Sequence, residues 1–441
     1  MSFFADQQTL DDLNITGRYN NKSIYRMFDN VVTDGGRKLL ENMFRQPLSD
    51  EVAINERSSI FQYFGKSGVA FPFTYELFSG AENYLSSGMS SSMPATAWNV
   101  VAARFLKTLT RDARYDALEA GVRKTISLLI TFRDFIQQLE ADCEPVQVHL
   151  RKARTIFTSK RWQWLNEVVD LTYIPLLKLV QYDHQLRTGC RQEMQALMDI
   201  IYLFDVYIAV ASVARTKQFC YARALPKQEN VMRVTGLFHP SLDQAVPNHI
   251  SFTAASNVTF LTGANMAGKS TFMKSFGIAV YLSHMGFPVA AEKMEFSVKD
   301  GLFSTINVPD SLEHGYSHFY AEVLRVKRVA EEVGALKDLV VIFDELFKGT
   351  NVKDAFDATL AITSAFSAHT NSFFIISSHI IEVGETLREQ GGSYQFLYLP
   401  TIMEGNVPRY TYRLKKGITE DRHGMIIIGN EGLIALIRNS E

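Results

Sequence analysis

Apolar residues fall into two rhythms along the chain, and the rhythm changes near Pro226. From Ser23 to Phe44 they recur at helical spacing around Gly35-Gly36, a pair that predicts a break between two helices. The serine-rich stretch Gly88 to Pro94 interrupts the pattern. Beyond it Val101, Phe105 and Leu109, then Leu118, Val122, Leu129, Phe132, Ile136 and Leu139, form a stripe at mostly three- and four-residue steps. That stripe reads as one long helix or two end to end. Leu165 to Ala214 is helical again, with Pro175 as a kink or boundary. After Pro226 short β-rich runs alternate with helices, as an α/β domain requires. Val231 to Thr235, His249 to Thr253, Val258 to Leu261, Leu339 to Phe343 and Phe373 to Ile376 read as strands, and Thr271 to Leu282 and Phe319 to Val333 as helices. Gln395 to Leu399 with Arg409 to Leu414 reads as a hairpin around Glu404-Gly405-Asn406. The pattern predicts an all-α segment over residues 1–225 ahead of an α/β domain over residues 226–441.

Composition changes this picture little. A chain of 441 residues, 46% hydrophobic, suits a soluble globular protein with large cores. A formal net charge of −2 leaves any affinity for a phosphate backbone to local patches. One candidate is Pro145 to Asn166, which has no acid and carries Arg151, Lys152, Arg154, Lys160 and Arg161 beside Trp162 and Trp164. It is either a grip on phosphate backbone or a solvated turn with its tryptophans in the core. Cys143, Cys190 and Cys220 form no C-x-x-C pair, which suits reduced thiols in a cytoplasmic protein with no disulfide frame and no zinc site. The N-terminus lacks the basic and apolar regions of a signal peptide, and no window approaches the roughly 18 apolar residues of a membrane span.

The chemistry concentrates in the second half. Gly263 to Ser270 fits G-x-x-x-x-G-K-S/T, between an apolar strand and a helix. Small residues there let backbone N–H groups turn inward on phosphates at a helix N-terminus. Lys269 would reach the β- and γ-phosphates of ATP, and the Ser270 hydroxyl would ligate Mg²⁺. A plain glycine turn is the alternative, and the strand-loop-helix setting disfavours it. The apolar run Leu339 to Phe343 delivers Asp344 and Glu345 to the carboxyl edge of a sheet. Asp344 would hold Mg²⁺ through water, and Glu345 would accept a proton from the water attacking the γ-phosphate. His379, after the next apolar strand and Ser377-Ser378, stands where it can sense the γ-phosphate, although a lone histidine also fits a structural role.

Asn257 to Thr271, NVTFLTGANMAGKST, closely resembles the loop of the MutS mismatch-repair ATPases, for which Asn265, Met266 and Ala267 are typical. Val246-Pro247-Asn248, Asp310-Ser311-Leu312 with Gly315, Ser317 and Phe319, Asp344-Glu345 followed by Lys348-Gly349-Thr350, and His379 fall in that family's order and approximate spacing. Ser23 to Leu40 looks like the start of the family's core domain, and Asp205-Val206 is similar to the helix that returns to the ATPase. The resemblance covers nearly the whole chain and is most specific in the C-terminal half. It implies an α/β P-loop (ABC-type) ATPase domain preceded by an all-α core and lever domain, working on DNA as a homodimer or as a heterodimer with a longer relative. In such a dimer the loop around Ser317 reaches across the interface to the γ-phosphate held by the partner's Lys269. Gly315 and Ser317 also lie just before a helix, where a hydroxyl and free N–H groups meet an anion or simply cap the helix. The implied nucleotide contacts are Gly263, Asn265, Met266, Ala267, Gly268, Lys269, Ser270 and Thr271. Tyr412 is the remaining stacking face for the base, because Ala245 stands where many members have an aromatic residue.

Departures from the family pattern bear on function. Ala264 replaces a usual proline, and Tyr316 and Lys348 replace arginines, changes that tune hydrolysis rather than abolish it. The mismatch-reading Phe-x-Glu motif has no separate place, since Phe343-Asp344-Glu345 is the carboxylate strand itself. The resemblance therefore implies a truncated member that begins at the core domain. The alternative is a nucleotide-gated switch whose helical half docks a protein partner and which has no mismatch recognition of its own. Small-molecule phosphoryl transfer fits poorly, because kinases with this loop lack the Ser317-type signature and the Asp344-Glu345 pair.

Overall fold

A computed structural model describes residues 3–17, 22–87, 92–110, 113–140, 142–168, 171–264, 266–306, 318–404 and 407–419. The chain divides into two compact units, one of Met1–Met27, Phe44–Ser58 and Ala214–Glu441, the other of Phe28–Met43 and Ser59–Val213.

From the N-terminus the elements are β1 (Phe4–Ala5), α1 (Gln7–Asp12), α2 (Ile24–Phe28), α3 (Asp34–Arg45), α4 (Glu51–Ser67), α5 (Tyr75–Ser86), α6 (Met93–Thr110), α7 (Arg114–Gln138) and α8 (Glu144–Thr158). A 3₁₀ stretch, Lys160–Glu167, then leads to α9 (Leu176–His184), a π turn over Gln185–Gly189 and α10 (Arg191–Lys217). Among its described residues the second unit holds helices and no strand.

Several sequence expectations shift in this unit. The break between helices falls at residues 29–33, ahead of the glycine pair, which lies in the first turn of α3. Side chains hold that break. Asp205 accepts the Val32 and Thr33 N–H groups at 3.1 and 2.7 Å, and the Thr33 hydroxyl accepts the Gly36 N–H at 3.0 Å. The long apolar stripe is two helices, α6 and α7. On α7 it is core, with Val122, Ile126, Leu129, Phe132 and Ile136 buried, whereas on α6 Val101 and Phe105 are 47% and 64% exposed. Pro175 is a boundary, supplying the residue before α9. The expectation that no window approaches a membrane span needs correction. Over 18 residues α10 reaches a mean hydropathy of 1.9, yet 72% of that window is buried inside the protein, as in a core helix.

The remaining elements include β2 (Arg223–Leu225), β3 (Met232–Leu237), β4 (Asn248–Phe252), β5 (Val258–Gly263), α11 (Lys269–His284), β6 (Lys293–Ser297), β7 (Gly301–Thr305), α12 (His318–Gly334), β8 (Leu339–Asp344), α13 (Val352–Ser367), β9 (Phe373–Ser377), α14 (Ile381–Gln390), β10 (Tyr394–Leu399), β11 (Thr401–Glu404), β12 (Val407–Tyr410) and β13 (Lys415–Lys416), besides a short pair of strands, Cys220–Tyr221 with Pro288–Val289. They build a mixed α/β unit around a mostly parallel sheet in the order β1-β7-β8-β9-β5-β10-β13, with only β13 antiparallel to its neighbour. Its central strands are buried on both faces, so β8 and β9 read as near-continuous apolar runs, while β5 carries Thr259 and Thr262 fully buried within it. Phe260, Val341, Phe343, Phe374 and Ile376 pack with Val329, Phe366 and Leu387 in one core. A second sheet runs β2-β6-β3-β4.

Two features of this unit were hidden in the sequence. β10 pairs in parallel with β5, so the hairpin is β11 with β12, around 405–406, which lie outside the described residues. At the N-terminus β1 pairs with β7, Phe4 opposite Gly301, and the next residues fasten it. Buried Asp6 accepts the Thr9 N–H and hydroxyl at 3.0 and 2.7 Å and pairs with the guanidinium of buried Arg325. Asp12 accepts the Ser304 hydroxyl at 2.7 Å and the Ile306 N–H at 2.9 Å.

Candidate functional site

Parallel pairing brings the carboxyl ends of β5, β8, β9 and β10 to one edge, with Asp344 opposite Ser377 and Leu399 opposite Gly263. A cavity of about 650 Å³ opens there, lined by the glycine loop, the start of α11, Glu345, Tyr412 and the segment 237–248.

The loop turns into α11 through Gly268, whose φ of +103° is readily open only to glycine. Lys269 opens the helix and is 5% exposed. Its ammonium donates to the Gly263 carbonyl at 2.8 Å and the Ala264 carbonyl at 3.4 Å, and stands 3.9 Å from the Glu345 carboxylate. Burial holds the Lys269 pKa below its usual value, with Glu345 and Asp344 pulling the other way. One residue on, the Ser270 hydroxyl donates to Asp344 Oδ2 at 2.5 Å, while Ser377 donates to Oδ1 at 2.7 Å. Asp344 is thus clamped between two hydroxyls. Glu345 follows with a left-handed φ of +53°, its N–H on the Ser377 carbonyl at 3.1 Å and Lys348 at 3.8 Å from its carboxylate.

The opposite wall is more apolar, with Leu237, Leu242, Ala245 and Val246 beside His239. Asn248 donates to the Tyr412 carbonyl at 2.9 Å and accepts the Leu414 N–H at 2.7 Å, which fixes Tyr412 at the cavity mouth, 47% exposed. Met266, Glu345 and Tyr412 all have left-handed backbones, at φ +72°, +53° and +55°, and all three line this one cavity. Strained backbone gathers at sites where geometry serves a ligand.

The sequence-derived residues divide accordingly. Met266, Gly268, Lys269, Ser270, Thr271, Glu345 and Tyr412 line the cavity; Gly263 lies behind it through its carbonyl, Asp344 behind it through Ser270, and Ala267 is buried. His379 is exposed just past β9 and is not among the lining residues. Asn265 and Ser317 lie outside the described residues, as do Asp310, Gly315 and Tyr316. Sequence reasoning missed the clamp made by Ser377 and the wall residues His239 and Leu242. The register of β8 against β9 is the signal for the first, since it sets Ser377 beside Asp344.

The basic segment has a different character. It forms α8 and the 3₁₀ stretch, with Trp162 and Trp164 buried at 1% and 7% exposure and Trp164 stacked on Tyr182 at 4.8 Å. Arg154 donates to the carbonyls of Ile136 and Leu139 at 2.7 and 2.9 Å, Arg151 pairs with Glu144, and Arg161 with Glu193 at 2.9 Å. Its tryptophans are core, and its arginines are already engaged.

Residues 259–437 match the family model of MutS domain V. The chain is similar to the DNA mismatch repair protein MutS of Persephonella marina, 23% identical over 345 residues that cover 75% of this chain and 38% of the relative. The MutS of Lactococcus lactis is 24% identical over 309 residues, 67% of this chain and 36% of its own length. The MutS protein homolog 4 of Mus musculus is 25% identical over 271 residues, 59% of this chain and 27% of its own. The matched region thus spans well under half the length of these relatives.

Proposed function

We propose that the chain binds ATP with Mg²⁺, hydrolyses it in the manner of a MutS-type ATPase, and couples nucleotide state to a clamp on DNA. The observation that carries this reading is the Ser270–Asp344–Ser377 chain of hydrogen bonds beside buried Lys269 at the carboxyl edge of a parallel sheet. Lys269 and the N–H groups opening α11 bind the phosphates, and Tyr412 with Leu242 covers the base. The Ser270 hydroxyl and Asp344 carboxylate are hard oxygen donors that suit Mg²⁺, which when bound would neutralise charge on the phosphate oxygens. Glu345 takes the proton of the attacking water. Asn265, His379 and Ser317 keep the roles that the family resemblance implies, Ser317 across a dimer formed with a second copy or a longer relative. The printed names of the bacterial relatives, DNA mismatch repair proteins, support DNA as the ligand.

The test is ATP turnover by the purified chain, with and without DNA. Glu345→Gln should retain ATP binding and lose about 100-fold or more in rate, while Lys269→Ala should lose binding. No turnover in the native chain, or turnover unchanged by Glu345→Gln, removes the enzyme reading.

A second reading, a nucleotide-gated switch that docks a protein, is favoured by one observation. Trp98, Val101 and Phe105 share one face of α6 and are 74%, 47% and 64% exposed.

A further inference from the structure

The helical unit contains two adjoining cavities, of about 780 and 500 Å³, that share Asn83 and Arg187 as a common wall. The smaller, between α5 and α7, is lined by Arg114, Lys124 and Arg187 and by no carboxylate. The larger adds Lys38 and Arg191 and has two acids, both engaged. Asp34 pairs with Arg37 at 3.1 Å, and Glu82 accepts the Tyr202 hydroxyl at 2.5 Å.

Arg187 is a built part of this wall. Its side chain is 10% exposed, and buried Asp183 accepts its Nη2–H at 3.0 Å, lies 2.8 Å from its Nε as an ion pair, and also takes the Tyr84 hydroxyl at 2.6 Å. Asp183 balances that one charge and fixes the guanidinium in place. Lys38, Arg114, Lys124 and Arg191 are exposed around it, and Lys124 and Arg191 make no ion pair or hydrogen bond among the described residues. Lys124 is also positioned. Its stem crosses Gly80 so closely that a Cβ there would lie 2.4 Å from Lys124 Cδ.

We infer that this pair of cavities seats successive phosphates of a duplex DNA backbone, with Lys38, Lys124 and Arg191 as direct contacts flanking Arg187. The inference rests on the DNA-binding part of the proposed function and assigns the contact to residues other than Arg151 to Arg161. A single phosphate would need one cluster; here cations line two neighbouring cavities, as a repeating polyanion requires. The tyrosines in the walls spend their hydroxyls on Glu82 and Asp183, so the surface offers charge rather than a reading of bases.

The experiment measures affinity for a labelled duplex across a salt series, using the full chain, the Lys38→Gln/Lys124→Gln/Arg191→Gln variant, and Lys152→Gln/Lys160→Gln for comparison. The triple variant should bind roughly tenfold or more weakly, and its slope of log affinity against log salt should shrink by about 0.9 for each contact removed. Lys124→Arg should keep the native affinity, which separates lost charge from a disturbed fold, and circular dichroism of each variant checks the helices. Native affinity and slope in the triple variant overturn the site while leaving DNA binding intact. A loss confined to Lys152→Gln/Lys160→Gln also overturns it and returns the contact to the segment around α8. Absence of duplex binding by the native chain at every salt concentration removes the DNA reading itself, and this inference with it.

Discussion

A methyl group at position 268 would meet the Tyr412 ring at 3.1 Å and force an L-residue to φ +103°. Both effects act on the turn that aims Lys269. Gly268→Ala is therefore expected to weaken nucleotide binding about tenfold, from a backbone strain of about 1–2 kcal/mol, while the core around β5 stays folded. Titration with a fluorescent ATP analogue measures it, and an unchanged affinity would mean the loop adopts another path when it binds. The glycine itself was legible, because a fixed spacing of Gly263, Gly268, Lys269 and Ser270 carries its own chemistry. Ser377 was not legible in the same way. Its importance comes from standing opposite Asp344 across a strand pair, and register between distant segments is invisible in a linear pattern.

Among elements, β1 and α1 show the largest gap between pattern and structure. A two-residue strand has no periodicity to read, and residues 1–12 contain little more than Phe3-Phe4 to suggest burial. Their anchor is polar. Burial pushes the Asp6 carboxyl up, but the Arg325 guanidinium and Thr9 outweigh it and leave the pKa lowered. Asp6→Ala would strand a buried guanidinium and should cost about 3–5 kcal/mol in urea unfolding. A loss below about 1 kcal/mol would show that Arg325 finds another partner as good. Because the folded pKa lies below the unfolded one, this stabilisation is present above the unfolded carboxylate range and disappears as pH falls through the folded value. Strands β5, β8 and β9 were readable for the opposite reason. They are covered on both faces, so their patterns are mostly apolar, broken only in β5 by the buried Thr259 and Thr262, and α10 is apolar nearly all round because it is the core of its own unit. The α6 stripe identified a helix but not its exposure, because helical spacing marks a face without saying what covers it.

At the scale of the whole molecule, stability should respond to pH through two buried bases. His284 is fully buried, its Nδ1 donating to the Val280 carbonyl at 2.8 Å and its Nε2 accepting the Lys299 N–H at 3.1 Å, a pairing that requires the neutral ring. Burial first, then Lys299, pushes its pKa down to about 3. Lys299 itself is pushed down to about 7, chiefly by burial, and donates to Asn230 Oδ1 at 2.8 Å and the Asn371 carbonyl at 2.7 Å. In both cases the unfolded chain binds more protons between the two pKa values, so stability rises with pH across each window. For Lys299 that window runs from about 7 to the ordinary lysine value near 10.5. The urea midpoint of the native chain should climb between about pH 7 and pH 9, where carboxylates no longer titrate, and Lys299→Met should flatten the climb. A level native profile would show that the ammonium stays charged in place.

Lys269 already has two carbonyls and a carboxylate of its own chain as partners. An entering anion must take over an occupied ammonium, so its affinity is a difference between two sets of contacts rather than the strength of one. On the proposed nucleotide reading, that difference would act as a valence threshold: a ligand with one phosphate would trade the internal partners for little more than it displaces, while a triphosphate would reach the loop and the lysine together. The same partners would reclaim the ammonium when such an anion left, so the protein carries its own resting counter-charge and does not expose a bare buried cation.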